Sequence, residues 1–311
     1  MSAARTSLLV GVLMTAVFAA VPFFFGDYGV YLGAEILIYI LFALAFNLML
    51  GQGGLVSFGH AAYFAIASYA VAILLTTYSW PLLPAFVVAV ALSCAAAVVI
   101  GALCVRLTAI YFAMLTLAFS QLVWAIAFKW NAVTGGDEGF VGVSVPQYLA
   151  EPTGFFYFAL AIVAVCAVLL WLITHSAFGR ILRATKENPR RAEFLGINVR
   201  RIRLVTFVIS GTFTGVAGAL FAIFNRAVFV ESAWWTKSAE VLVMTILGGV
   251  GSFFGPALGA TVLILLDRLI TEFTQYWPTV LAIILIAVLF FLPNGLIGAF
   301  RRGRSTGAGD A

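Results

Sequence analysis

Against a background that is 64% hydrophobic and 9% charged, the polar side chains lying inside apolar runs are few. Between Asp27 and Lys129 two groups stand out. Asn47, Gln52, His60, Tyr63, Ser68 and Tyr69 surround a glycine-rich break, and Thr116, Ser120, Gln121 and Trp124 lie in one long apolar run. Thr116, Ser120 and Trp124 recur every four residues and share one face of a helix. Groups of this kind either line a polar path or hydrogen-bond a neighbouring helix. A lone Ser or Thr bonds back to its own helix, which favours packing. Gln121 and His60 cost more to bury and lean toward function. Charge is scarcer still. Between Asp27 and Lys129 only Glu35 and Arg106 occur, both expected near a membrane interface, and the adjacent Asp267 and Arg268 read as an interfacial pair or one that snorkels to water.

Several chemistries are missing. Lys129, Lys186 and Lys237 follow no glycine, so the chain has no phosphate-binding loop of the Walker type. His60 and His175 are far apart and lack the spacing of a zinc protease. The sequence has no row of arginines, no potassium-type filter and no relay of Asp, Glu and His across an apolar run. Cys94, Cys104 and Cys166 all lie in apolar runs without ligand spacing, so neither a disulfide framework nor a metal site is expected.

The elements that must hold these groups are membrane spans. A mean hydropathy of +1.12 and repeated apolar runs of about 20 residues describe an all-α polytopic membrane protein, not a soluble domain. Spans are expected at 8–25, 30–50, 55–78, 82–105, 110–128, 155–174 and 204–224. The run 8–25 follows Arg5 much as a signal peptide would, but it is too long and leads into no cleavage region. The stretch 239–269 is interrupted by Gly248-Gly249-Val250-Gly251 and by Gly255-Pro256, so it is either two spans or a re-entrant pair. With a last span at 278–291, the total is ten spans, or eight plus a re-entrant loop. The net charge of +5 clusters in loops, as cytoplasmic segments require, and is no nucleic-acid signal. Both termini then fall in the cytoplasm. So does the segment 175–205, while the loop 129–154, with Asp137, Glu138 and Glu151, falls outside.

The segment 176–206 holds eight of the chain's 17 Lys and Arg. It reads as two short helices, the second capped by Asn188 with Pro189 in its first turn and ending near Gly196. A loop that only anchors topology needs no capped helix, so a docking surface for a soluble partner is the sharper reading. Two breaks also look alike, GGLVSFG at 53–59 and GGVGSFFG at 248–255, and they suggest an internal repeat. Glycine-rich backbone at membrane depth is tolerated only under a cover of protein or beside a water-filled cavity, and in transporters it often marks the substrate path. Its alternative use is close helix packing.

Four stretches, in order, resemble the branched-chain amino acid permease family of ABC importers, and within it the M-type membrane subunit. They are NLMLG at 47–51 with SFGHAAYF at 57–64; IYFAMLTLAFSQ at 110–121 with TGGDEG at 134–139; FGR at 178–180 through GIN at 196–198 with SG at 210–211 and GVAG at 215–218; and GGVGSFFGP at 248–256. The chain departs from the family's usual Gly-Tyr-Ala-Gly-Gln run at 51–55, and Leu292 stands where an arginine usually precedes the proline. The resemblance implies one membrane domain, 1–311, of an importer in a bacterial inner membrane. It makes the hairpin the coupling segment, through Gly179, Arg180, Arg183, Glu187, Ala192, Glu193 and Gly196. It implies a second, paralogous permease, two cytoplasmic subunits that bind ATP and Mg, and a periplasmic or lipid-anchored amino-acid-binding protein. Asn47, His60, Tyr63, Gln121 and Trp124 become candidates for the substrate path, and Thr134, Gly135, Gly136, Asp137 and Gly139 for the binding-protein dock. No metal, no cofactor and no catalytic residue is implied in this chain. Alternative readings are a permease of the same family for urea, short amides or other amino acids, or a secondary transporter working alone.

Overall fold

Long apolar runs have one stable form in lipid, the helix, because it pairs every backbone N–H and C=O within the segment. The computed structural model describes residues 3–107, 109–273, 279–280, 282–283, 286 and 295–298, and it is helical almost throughout. The helices are α1 (Ala3–Phe24), α2 (Asp27–Asn47), α3 (His60–Thr76), α4 (Leu82–Cys104), α5 (Ala109–Lys129), α6 (Asn131–Thr134) and α7 (Gln147–Ala150). After them come α8 (Pro152–His175), α9 (Ala177–Glu187), α10 (Pro189–Phe194), α11 (Val199–Asn225), α12 (Trp235–Gly248) and α13 (Gly255–Phe273). Two short strands, β1 (Phe140–Val141) and β2 (Ala227–Val228), pair antiparallel and tie two loops together.

Among the described residues five stretches are long and apolar enough to cross a membrane: Asp27–Gln52, Leu82–Cys104, Ile110–Lys129, Pro152–His175 and Val199–Asn225. The protein is thus a multi-pass membrane protein. Among the described residues, some of the ten or eight expected spans are shorter than a full crossing. α3 has 17 residues and α12 has 14, rises of about 26 and 21 Å against a hydrocarbon layer of about 30 Å. Each is short because an irregular segment carries the chain part of the way. The stretch 239–269 is two helices joined at 249–254, with α12 starting earlier, at Trp235. The helix expected at 204 starts at Val199, which moves Arg200, Arg201 and Arg203 from the hairpin onto the first turns of α11. The span expected at 278–291 lies mostly outside the described residues, and Arg301, Arg302 and Arg304 lie wholly outside them.

α2 is the central helix. From Ile36 to Asn47 every residue is buried, and such all-round apolarity marks a helix enclosed by others. It packs against α1, α8, α11, α12 and α13. Phe42 stacks on Phe64 of α3 at 5.0 Å. α3 and α11 meet where a methyl on Gly218 would strike the Phe64 backbone. At the same place Ser68 Oγ lies 2.7 Å from the Gly218 carbonyl and 2.8 Å from that of Phe64. Close contact between small residues replaces the hydrophobic drive that lipid removes.

Candidate functional site

The two glycine breaks meet. α2 does not stop at Asn47 but unwinds into a π-helical turn, Leu48–Gln52, a distortion often found at functional sites. Asn47 Nδ2 donates to the Ser252 carbonyl at 3.2 Å. A Cβ on Gly51 would stand 2.7 Å from the Val250 carbonyl oxygen, so only glycine lets the second break seat on the first. The hairpin covers this junction. Lys186 Nζ donates to the Gly51 carbonyl at 2.8 Å, and Arg183 Nη1 donates to Gln52 Oε1 at 3.2 Å. Leu182, fully buried, lies against Gly53. A π-turn frees carbonyls, and two hairpin cations bind it at its end.

Beyond Gly53 the chain runs without helix to His60, and side chains supply the partners its backbone lacks. Phe58 N–H donates to Thr116 Oγ1 at 3.2 Å, Gly59 N–H to Ser57 Oγ at 3.2 Å, and Ala61 N–H to Ser238 Oγ at 2.8 Å. His60 completes the support. Ser210 Oγ lies 2.6 Å from the Ala45 carbonyl and must donate to it, so it accepts from His60 Nε2 at 2.8 Å. His60 Nδ1 is then an acceptor for the Ser57 hydroxyl at 3.0 Å. The imidazole is the Nε2–H tautomer, in a chain from the Gly59 amide to the Ala45 carbonyl. It joins the start of α3 to α2 and α11.

A second segment enters the bundle beside the first. After β2 the turn Val230–Ala233 leads into α12. Ser120 Oγ donates to the Ala233 carbonyl at 2.9 Å, Trp124 meets Trp234 edge-on at 4.6 Å, and Phe58 meets Trp235 at 6.4 Å. The Thr116, Ser120 and Trp124 stripe therefore holds both entering segments, which is its packing use. The structure brings His60 and Tyr63 to the start of α3 and Asn47 to the break junction; Gln121 and Trp124 stand apart from them on α5. His60 and Tyr63 have no exposed surface. Tyr63 Oη, Asn47 Oδ1 and Gln121 Nε2 are buried and find no hydrogen-bond partner among the described residues.

In the hairpin, Asn188 caps α10 through the Arg191 amide at 2.9 Å, as the sequence predicts, and Ser176 caps α9 through the Gly179 amide. Gly179 and Ala192 are buried, whereas Arg180, Glu187, Glu193 and Gly196 are exposed. Arg180 Nη1 lies 3.5 Å from the His175 carbonyl. The most exposed large apolar side chains of the hairpin are two the candidate set omits, Phe194 at 91% and Leu195 at 75%. Their signal was legible: an apolar pair just before a helix-ending glycine in a charged stretch. In the loop TGGDEG, Thr134 is buried and bonds the Ala127 carbonyl at 2.6 Å. Gly135, Gly136 and Gly139 have φ of 78°, 58° and 72°, which suits glycine and shapes the turn. Asp137 and Glu138 are left at the surface.

Glu35, Lys237, Glu240, Asp267 and Arg268 lie on α2, α12 and α13. The sequence reads Asp267 and Arg268 as an interfacial pair or one snorkelling to water, and Arg268, with its side chain 42% exposed, reaches Glu35 at 2.6 Å. No spacing rule could reveal a pair 233 residues apart. Among the described residues no group of three metal-ligating side chains occurs.

Residues 30–292 match the family described as branched-chain amino acid transport system, permease component. The chain is 30% identical to the high-affinity branched-chain amino acid transport system permease protein LivM of Escherichia coli K12, over 93% of this chain and 74% of that protein. To LivM of Salmonella typhimurium it is 28% identical over 97% and 77% of the two chains. A second kind of permease also matches: LivH of Salmonella typhimurium, 27% identical over 87% and 93%. No solved structure matches this chain. With nearly all of its membrane region inside one such match, the chain belongs to the branched-chain amino acid transport permease family.

Proposed function

We propose that this chain is one of two permease subunits of an ABC importer that carries branched-chain, aliphatic amino acids across the bacterial inner membrane. Its partners are then a LivH-like permease, two cytoplasmic subunits that bind ATP and Mg, and a periplasmic or lipid-anchored binding protein. The observation that supports this best is the hairpin seated on the π-turn of α2 through Lys186 and Arg183, beside the junction of the two breaks. ATP-driven movement of α9 and α10 is thereby transmitted to the segments that interrupt the membrane helices, and alternating access follows from their rearrangement.

Phe194 and Leu195 serve as the apolar contact for a groove on the ATPase, with Arg180, Glu187 and Glu193 around them. Gly179 and Gly196 set the turns, and buried Ala192 and bonded Arg183 tie the contact to the bundle. Asn47, Gln121 and Trp124 border the path, while His60 and Tyr63 keep the start of α3 in place beside it. Asp137, raised on the turn of Thr134, Gly135, Gly136 and Gly139, is the contact for the binding protein.

The test is purification of the assembled complex from its native membrane with wild type and Phe194→Asp. The expected result is that two ATP-binding subunits and a second permease accompany wild type, and that the variant loses the ATPase or its stimulation. A wild-type chain isolated without any ATPase, yet able to transport, ends this reading in favour of a secondary transporter.

A further inference from the structure

Charge at membrane depth is concentrated on one side of the bundle. Arg268 Nη2 reaches Glu35 Oε2 at 2.6 Å, and Lys237 Nζ lies 3.0 Å from Glu240 Oε2 while donating to the Tyr39 hydroxyl. Asp267 adjoins Arg268 on α13, and Tyr39 stands one turn from Glu35 on α2. The stretch Asp27–Gln52 has 26 residues, about 39 Å of helix around a hydrocarbon layer of about 30 Å. Centred on that layer, Glu35 lies about 7 Å inside its boundary and Tyr39 about 6 Å deeper.

Three features of the cluster point to a ligand. It contains two cations, Lys237 and Arg268, against three carboxylates, Glu35, Glu240 and Asp267, so one carboxylate is in surplus. The surplus has a place: Asp267 Oδ1 is buried without a hydrogen-bond partner among the described residues. The cluster is also open, with the Arg268 and Glu240 side chains 42% and 35% exposed. Charges at this depth do not face acyl chains; they face a protein partner or a water-filled path. A guanidinium has five N–H donors in a rigid fork, and the Glu35 pair uses one nitrogen of it.

We propose that Glu35, Lys237, Glu240, Asp267 and Arg268 form a zwitterion-binding station on the wall of the translocation path, where Arg268 receives the α-carboxylate and Asp267 the α-ammonium group of an amino acid. The ammonium and carboxylate groups of an α-amino acid hang on one carbon, close enough together for the Asp267 and Arg268 side chains, adjacent on α13, to take one each. Glu35 and Lys237 hold the arrangement when no substrate is present. The station lies apart from the glycine breaks and the hairpin. It rests on the importer reading for its substrate, but not for its exposure to water.

The test uses the complete transporter, with both permeases, ATPases and binding protein, reconstituted in lipid vesicles. Leu265, 38% exposed one turn from Arg268, is replaced by cysteine and treated with a charged, membrane-impermeant thiol reagent. Labelling that slows when loaded binding protein and saturating leucine are added is expected. An unreactive thiol overturns the proposal, because the face is then covered by lipid or by the second permease. Asp267→Asn should raise the leucine concentration for half-maximal uptake roughly ten- to a hundredfold while ATP hydrolysis persists, the loss of one charge-assisted bond. Arg268→Lys keeps the charge and loses the fork, and it replaces Asp267→Asn if that variant fails to assemble. Unchanged half-saturation in a wild-type-competent assembly overturns the station alone. A wild-type assembly that hydrolyses ATP but imports no aliphatic amino acid overturns the importer reading and the station with it.

Discussion

His60 shows how a residue's chemistry is settled by its neighbours. From sequence it is a costly group to bury and hence a path candidate. In the structure both ring nitrogens are engaged, Nε2–H by Ser210 and Nδ1 by Ser57, and the ring is fully buried. Ser210→Ala leaves the Nε2–H without its acceptor, which should cost about 1–3 kcal/mol. Thermal unfolding of the purified complex in detergent measures it. Ser57→Ala breaks the same chain at its other end, so the double variant should lose less than the two single losses combined. Strict additivity would show that the hydroxyls act independently.

Among elements, the hairpin was the most legible. Its caps at Ser176 and Asn188, Pro189 in the first turn of α10 and the stop at Gly196 follow from local rules, and Gly196 has φ 81°. A β-branched residue cannot hold that conformation cheaply, whereas asparagine tolerates it. Gly196→Val should therefore cost about 1 kcal/mol or more locally and weaken stimulated ATP hydrolysis, with Gly196→Asn close to wild type. Equal activity of the two would show that the turn is not needed for coupling. α3 and α11 depend on contact, not caps. Gly218→Leu drives a side chain into the Phe64 backbone, which cannot yield as a flexible side chain does. The overpacking cost is about 1–3 kcal/mol or higher, and size-exclusion chromatography should show reduced recovery of intact complex.

For the whole molecule, the hairpin and the TGGDEG loop lie at opposite ends of the bundle, and the importer reading puts the second outside. A membrane-impermeant thiol reagent should label Asp137→Cys in intact cells and Glu193→Cys only after permeabilisation. The native Cys94, Cys104 and Cys166 lie within apolar helices, and the latter two are buried. The reverse pattern would invert the topology and remove the hairpin from any ATPase.

From the order of residues alone it follows that the chain is helical and membrane-embedded, where most helices run, and that one basic, capped hairpin breaks the apolar pattern. These are local properties: hydropathy over some 20 residues, charge placement and capping need no knowledge of distant neighbours. It also showed two similar glycine breaks, but not that Asn47 and Gly51 seat the loop at Val250 and Ser252. Only the packed fold shows that Thr116 and Ser120 bond entering backbone, that α12 is a helix of 14 residues, and that Glu35 answers Arg268. Each depends on contacts between segments far apart in the chain. In lipid, apolar faces are nearly equivalent, so the choice of neighbour rests on small residues, shape and a few polar bonds that no periodicity reveals.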